Sequence, residues 1–343
     1  MEWAPLFFFL VIFFALLFSF SNGFNDSANQ VATVISSHAL APEWAFIIAA
    51  LSDFIGAYFL GTHVAMTIAK EIVHLDWISS NGTGLLILFS ALTGSLCWNF
   101  MSARLGFPSS SFHALIGGLL GSFVVGFGWR SVQWLNVTHI ILIMLVSPCI
   151  GFVFTYIFTK ATFYFGQWLP PKTNDLFKFL QIVTLIFQSF AHGSNDAQKS
   201  MGVIVLAFMI RGSVFNHSVN FEIIPQWIIL TCSLAMSFGV FVGGWRLIKT
   251  LGAGLYRVRT IHGFASQFSS AGILSIASIW GFPISSTQVI SASILGAGAA
   301  FRPKAVRWLV ARDITVAWLI TIPISACISA LVLKLFSSIL NVK

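Results

Sequence analysis

The sequence predicts an all-α integral membrane protein made of two inverted-topology repeats, each with broken spanning helices and a re-entrant helical hairpin. Three observations lead to this prediction: an apolar composition, apolar runs of about 20 residues along the whole chain, and polar motifs that each occur twice. Of the 343 residues, 57% are hydrophobic and 8% are charged, and globular domains carry about three times that charged fraction. No soluble domain of useful size is left over.

The first repeated motif is polar and lies near the middle of long apolar runs. Residues 20–26 read FSNGFND, and residues 190–196 read FAHGSND. A buried Asn or Asp is costly unless a partner satisfies it. Because Gly23 permits local unwinding, we expect a break in the spanning helix at this motif and at its second copy.

An unwound turn would place backbone carbonyls beside carboxylate and amide oxygens. Such oxygens suit a small cation, and a buried carboxylate can instead take up a proton. The alternative is that Asp26 and Asp196 only cap helix ends at the membrane surface. The residues that would supply the oxygens are Asn25, Asp26, Asn29, Asn195 and Asp196.

The second repeated motif joins two apolar segments in each half. Residues 106–111 read GFPSSS, and residues 281–286 read GFPISS. Proline disfavours helical geometry before it and lacks an N–H donor, so it separates two helical arms. We therefore expect re-entrant hairpins at about residues 85–127 and 262–300. The apolar run near residues 43–69 predicts a helix that crosses the membrane.

The polar residues after each proline would begin the second hairpin arm. Free N–H groups, hydroxyls and the positive end of the helix dipole then converge on one point, which suits an oxyanion. The alternative is that these residues are ordinary N-caps without a ligand. The candidates are Ser109, Ser110, Ser111, Ser285, Ser286 and Thr287.

The number of membrane crossings in each half predicts that the two halves have opposite orientations. A re-entrant hairpin crosses the membrane zero times, which leaves three crossings per half, so residues 176–343 are expected upside down relative to residues 1–169, with 170–175 as the linker. The basic flanks of the second hairpin look cytoplasmic, and both termini then lie outside. These flanks contain Lys249, Arg257, Arg259, Arg302, Lys304, Arg307 and Arg312. If both arms cross the membrane fully, charge alone does not separate the two arrangements.

Several charged or polar residues near the motifs are accessory candidates. Lys199 follows Asp196 by three residues and either pairs with an acid or faces the anion. Arg104 is either an anion contact or a basic side chain that reaches the interface. The remaining accessory candidates are Gln198 and His113, and a structural role is the simpler one for His113 and His192.

Other classes of function lack support in the sequence. The net charge of +8 is spread over span ends, so it indicates topology rather than nucleic-acid binding. The four cysteines lie singly in apolar segments, and no phosphate loop or nucleophile–base pattern supports catalysis. Asp53 lies within an apolar span and needs a polar partner that the sequence does not identify.

At these motifs the chain resembles the PiT family of inorganic phosphate transporters, and the matches spread from residue 22 to about residue 323. The resemblance implies phosphate transport in an inner cell membrane, driven by a proton or sodium gradient, with no other cofactor. It implies coupling-ion roles for Asp26, Asn29 and Asp196, and phosphate binding by the hairpin hydroxyls with Asn25 and Asn195. It also allows a homodimer.

These observations favour an alternating-access phosphate symporter in the lipid bilayer. A sulfate or other oxyanion permease of the same architecture stays open, since a site for a tetrahedral anion does not by itself select phosphate. A passive anion channel has no need of duplicated Asp residues, and a receptor without transport has no need of buried acids.

Overall fold

Helices make up most of the part of the chain that the computed structural model describes. The described residues are 3–75, 78, 82–106, 109–166, 168, 170, 173–214, 223–243 and 258–341. Their helices are α1 (Ala4–Ser36), α2 (Pro42–Phe59), α3 (His63–Glu71), α4 (Thr83–Leu105), α5 (Ser111–Phe127), α6 (Trp134–Gly166), α7 (Thr173–Val214), α8 (Gln226–Val242), α9 (Thr260–Trp280), α10 (Ser286–Phe301) and α11 (Trp308–Ile339). No β-strand occurs within these ranges.

Five of these helices are long and apolar enough to cross a membrane: α1, α4, α6, α7 and α11. The span expected near residues 43–69 consists of α2 and α3, which are bent by 65° at a short break. Gly61 lies in this break with a φ of +100°, a conformation that favours glycine. The all-α integral membrane class is therefore confirmed.

The expected breaks at the first repeated motif are wrong. Helix α1 runs unbroken from Ala4 to Ser36 through Gly23, and α7 runs unbroken from Thr173 to Val214 through Gly193. A Cβ at Gly23 would collide with the carbonyl of Met236 on α8, and one at Gly193 with the carbonyl of Asp53 on α2. These glycines therefore allow two helices to pack closely. The backbone hydrogen bonds of α1 and α7 continue through the motif.

The two close approaches are reciprocal. Gly239 on α8 packs against the carbonyl of Phe20 on α1, and Gly56 on α2 packs against the carbonyl of Phe190 on α7. Phe20 and Phe190 are the matching first residues of the two FxxGxND copies. Each motif helix thus packs tightly against a helix from the other half of the chain.

The second repeated motif does separate two helical arms in each half. The first arms, α4 and α9, end at Gly106 and Gly281, with φ values of +74° and +73°. The second arms, α5 and α10, begin after Ser110 and Ser285, whose side chains cap the helices. Phe107 and Pro108 lie outside the described residues.

The arms of each pair return to the same end of the bundle. Arg259 at the start of α9 and Arg302 at the end of α10 both lie over the ring of Phe301, at 4.8 and 5.3 Å. In the first pair, Gly126 near the end of α5 packs against Ile87 near the start of α4. The linker lies partly outside the described residues, as do Lys249 and Arg257.

Candidate functional site

Asp26 is buried near the middle of α1, with 2% of its surface exposed. Its Oδ1 accepts a 2.7 Å hydrogen bond from Asn29 Nδ2, about one turn further along the helix. The same oxygen accepts a 2.7 Å bond from Thr287 Oγ1 in the first turn of α10, and its Oδ2 lies 3.5 Å from Ser286 Oγ. Two coupling-ion candidates therefore contact two hairpin candidates directly.

Asp196 occupies the matching position on α7 and is equally buried. Its Oδ1 accepts a 2.7 Å charge-assisted bond from Lys199 Nζ. Its Oδ2 accepts bonds from Asn22 Nδ2 on α1 at 2.9 Å and from Ser286 Oγ at 2.8 Å. Since the Ser286 hydroxyl has a single hydrogen, it donates to the nearer carboxylate while facing Asp26.

His192 lies between the two carboxylates. Its Nε2 is 3.6 Å from Asp26 Oδ2 and 3.8 Å from Asp196 Oδ2. Its Nδ1 is 2.7 Å from Asp53 Oδ1 and 2.9 Å from Gln30 Nε2. Asp53 thus has the polar partner that its apolar surroundings require.

The cluster offers ligands for a small cation. Asp26, His192 and Asp196 each present one ligand atom, and these atoms lie within 4.8 Å of one another. The amide oxygens of Asn22 and Asn29 are buried without a hydrogen-bond partner among the described residues. Carboxylate and amide oxygens suit a hard cation, and the carboxylates are also proton acceptors.

The N-termini of α5 and α10 meet beside this cluster. Ser110 Oγ accepts from the backbone N–H of His113 at 3.2 Å, and Ser285 Oγ accepts from that of Gln288 at 3.4 Å. The His113 and Gln288 side chains approach each other to 3.3 Å between their Nε2 atoms. Two helix ends with free N–H groups and positive dipole ends therefore lie together, an arrangement that suits an oxyanion.

The paired asparagines contact the hairpins of their own halves. Asn25 Nδ2 lies 3.4 Å from the carbonyl of Asn99 on α4, and Asn195 Nδ2 lies 3.4 Å from the carbonyl of Phe282. In both contacts an amide group faces a backbone carbonyl at the same long distance. Both side chains thus lie at the junction between a motif helix and a hairpin.

The other candidates extend this polar region. Ser109 Oγ is 2.7 Å from Ser102 Oγ, and Ser111 is the buried first residue of α5. Gln198 Oε1 accepts from the backbone N–H of Ala65 on α3 at 3.2 Å, so it holds α7 against the helix after the break.

Arg104 is the one candidate residue that is not buried. It is exposed in the last turn of α4, where a long basic side chain can reach the membrane interface. Its place at an exposed helix end favours the interfacial interpretation over an anion contact.

Three residues at the centre of the cluster were not predicted as site residues: Asn22, Gln30 and His192. Asn22 and His192 occupy the same place in the two motif copies. That match was the available signal, because a polar pair repeated one turn before each Asp indicates a shared role. Gln30 has no such signal, and only the fold brings it to Asp53.

Two motif helices that meet at a buried charged cluster, with helix N-termini beside it, define a membrane transport protein. The sequence profile of the phosphate transporter family matches residues 22–329. The chain therefore belongs to the phosphate transporter family, which is a family of transporters rather than enzymes.

Individual relatives agree with this membership. A probable low-affinity inorganic phosphate transporter of Bacillus subtilis (strain 168) is 38% identical over 323 residues, covering 94% of this chain and 95% of that protein. A protein of the same description from Rhizobium meliloti (strain 1021) is 37% identical over 318 residues, covering 92% of each.

A solved structure described as the sodium-dependent phosphate transporter has the same fold. It superposes with a TM-score of 0.85 and covers 97% of this chain and 99% of that chain, at 24% sequence identity. At this identity the likeness concerns the fold alone.

Proposed function

We propose that the protein is a symporter that imports inorganic phosphate by alternating access, driven by a proton or sodium gradient. The observation that carries the proposal is the position of Ser286, which lies 2.8 Å from Asp196 and 3.5 Å from Asp26 at the N-terminus of α10. This residue joins the expected anion site to both expected cation ligands.

Charge explains why the two sites adjoin. A phosphate anion placed beside buried carboxylates is strongly unfavourable unless a cation arrives with it. A cation bound at Asp26, next to Asp196, offsets this repulsion, and the Ser286 and Thr287 hydroxyls are then free to turn toward phosphate. In this proposal Asn25, Asn195 and the residues around Ser110 complete the anion site.

The arrangement of the chain in the membrane is also part of the proposal. The reciprocal contacts of Gly23 with α8 and of Gly193 with α2 support two repeats, residues 1–169 and 176–343, related by inversion. The basic residues around Arg259 and Arg302 support a cytoplasmic location for that end, with both termini outside the inner membrane. A homodimer stays a prediction.

Labelled phosphate uptake into proteoliposomes tests the proposal. With the purified protein reconstituted, an inward gradient of protons or of sodium is imposed separately, and empty liposomes give the background. We expect one gradient to drive phosphate accumulation above equilibrium. Flux that depends only on the phosphate gradient would contradict symport and indicate a passive channel.

Sulfate is the second candidate substrate, because it is also a tetrahedral oxyanion. Relatives described as phosphate transporters favour phosphate. Unlabelled phosphate should inhibit the uptake of labelled phosphate far more strongly than unlabelled sulfate does. The reverse order would assign the protein to sulfate.

A further inference from the structure

The two central carboxylates have the same local geometry but differently charged neighbours. Asn29 Nδ2 lies 2.7 Å from Asp26 Oδ1, and Lys199 Nζ lies 2.7 Å from Asp196 Oδ1. Each donor follows its acid by three residues, and the two acids match in the motif. An uncharged amide on α1 thus stands where an ammonium stands on α7.

Lys199 is built into the cluster rather than turned away from it. The residue is 1% exposed, and its Nζ lies 5.2 Å from the centre of the Phe112 ring in the first turn of α5. Burying an isolated ammonium costs several kcal/mol, so it needs a close counter-charge. Asp196 is its carboxylate partner among the described residues.

We propose that the Lys199 ammonium is a resident cation, which takes at Asp196 the place that a mobile coupling cation takes at Asp26. This inference rests on the proposed symport and deepens it. The duplicated motif would otherwise create two equivalent mobile-cation sites. Lys199 fills one of them permanently, so this residue sets how many cations accompany each phosphate.

A comparison of the two motif copies gives the variants that test this proposal. In the first copy, Asn29 is the neighbour of Asp26, the carboxylate that is left open to a mobile cation. Lys199→Asn makes the surroundings of Asp196 like those of Asp26, and a second mobile cation should then bind. The double swap Asn29→Lys, Lys199→Asn moves the resident cation to Asp26. It should return the number of mobile cations per phosphate to that of the wild type. Lys199→Arg keeps the positive charge and should leave the number of mobile cations per phosphate unchanged.

The number of charges that move with each phosphate can be measured from reversal potentials. Proteoliposomes with fixed phosphate and cation gradients are clamped at a series of membrane potentials, and the potential of zero net phosphate flux is recorded. We expect Lys199→Asn to raise the charge per phosphate by one elementary charge relative to the wild type. Monodispersity in detergent and equilibrium phosphate binding are checked first for each variant.

Two results would overturn the inference. One is a Lys199→Asn protein that transports phosphate with an unchanged charge. The other is loss of transport in Lys199→Asn that the double swap does not restore, which would make Lys199 a structural ion-pair residue. Wild-type protein without gradient-driven uptake would instead contradict the proposed symport, so the two failures are distinguishable.

Discussion

The Asn22 side chain on α1 donates a 2.9 Å hydrogen bond to Asp196 on α7. The matching residue of the second motif, His192, makes the reverse approach, with its Nε2 3.6 Å from Asp26 on α1. Each motif therefore contacts the carboxylate of the other. A movement of α1 relative to α7 would alter the surroundings of both carboxylates at once, which suits the proposed coupling of cation binding to a change of access.

Asp196→Asn should destabilise the protein far more than Asp26→Asn. The first change leaves the buried Lys199 ammonium without its counter-charge, and breaking a buried pair costs about 3–5 kcal/mol. The second leaves an amide among Asn29, Thr287 and Ser286, where hydrogen bonds can still form.

Thermal unfolding in detergent measures this difference, with Asp313→Asn as the control. Asp313 pairs with Arg312 on an exposed surface, where an ion pair contributes about 0–1 kcal/mol. Equal losses for Asp26→Asn and Asp196→Asn would show that Lys199 is not held by Asp196.

The double variant Ser110→Ala, Ser286→Ala should weaken phosphate binding. A hydrogen bond to a charged group contributes about 1.5–3 kcal/mol, so each hydroxyl should account for roughly a 10- to 100-fold change in affinity. Isothermal titration with phosphate measures the effect. Ser122→Ala is the matched control, since within the described part of the chain that hydroxyl bonds to its own helix, at the carbonyls of Gly118 and Leu119. Unchanged affinity in the double variant would move the anion site elsewhere.

Gly23→Ala and Gly193→Ala should each destabilise the fold by about 1–3 kcal/mol, the usual effect of overpacking. The added methyl group would collide with a backbone carbonyl of α8 or α2, which cannot rotate away. Gly272→Ala on α9 is the opposite case, because nothing lies near its added Cβ, and a helical Gly→Ala change there should stabilise by about 0.5–1 kcal/mol. Melting temperatures that move in the same direction for all three variants would contradict the close-packing account.

The two halves differ in what fills the space between the motif helix and the first hairpin arm. In the second half, Thr184 on α7 donates to Gln267 on α9, and the buried Gln188 Oε1 has no hydrogen-bond partner among the described residues. The position that matches Gln188 in the first half is Phe18, and the one that matches Gln267 is Leu92. Both of these residues lie in the hydrophobic core.

A cysteine at position 188 should therefore react faster with a small hydrophilic thiol reagent than a cysteine at position 18. Thr184 and Gln181 lie about one and two turns before Gln188 on α7, and Gln181 accepts a hydrogen bond from Ser37. Ser37 lines an open cavity of about 700 Å³ together with Arg259 and Thr260. The native cysteines are first replaced, because Cys97, Cys149 and Cys327 are exposed. Labelling rates in proteoliposomes check the prediction. Equal rates for Gln188→Cys and Phe18→Cys would mean that the polar interface does not admit water.

The sequence predicted the helical membrane class and both separated hairpin arms because those features have local causes. Apolar runs determine the spans, and a glycine followed shortly by a proline is a common end of a helix. The clustering of Asp26 with Asp196 also followed from a local signal, the duplication of one motif. The number of crossings in each half and the basic flanks predict that the halves are inverted, and this relation stays a prediction.

The features that the sequence does not predict depend on distant residues. Glycine permits either an unwound turn or a close helix contact, and only the carbonyls of Met236 and Asp53 decide between them. The contacts of His192 with Asp26 and Asp53 could not be predicted either, because both partners are far away in the sequence. The sequence of a single segment does not predict that α1 packs against α8 or that α7 packs against α2.

The position of the bound anion shows whether phosphate binds between the N-termini of α5 and α10. A crystal structure with arsenate, the heavier isostere of phosphate, would locate the anion by the anomalous signal of arsenic. We predict one peak between the first turns of α5 and α10, beside Ser110 and Ser286. A peak only in the open cavity near Arg259, with none between the two helix N-termini, would contradict the account.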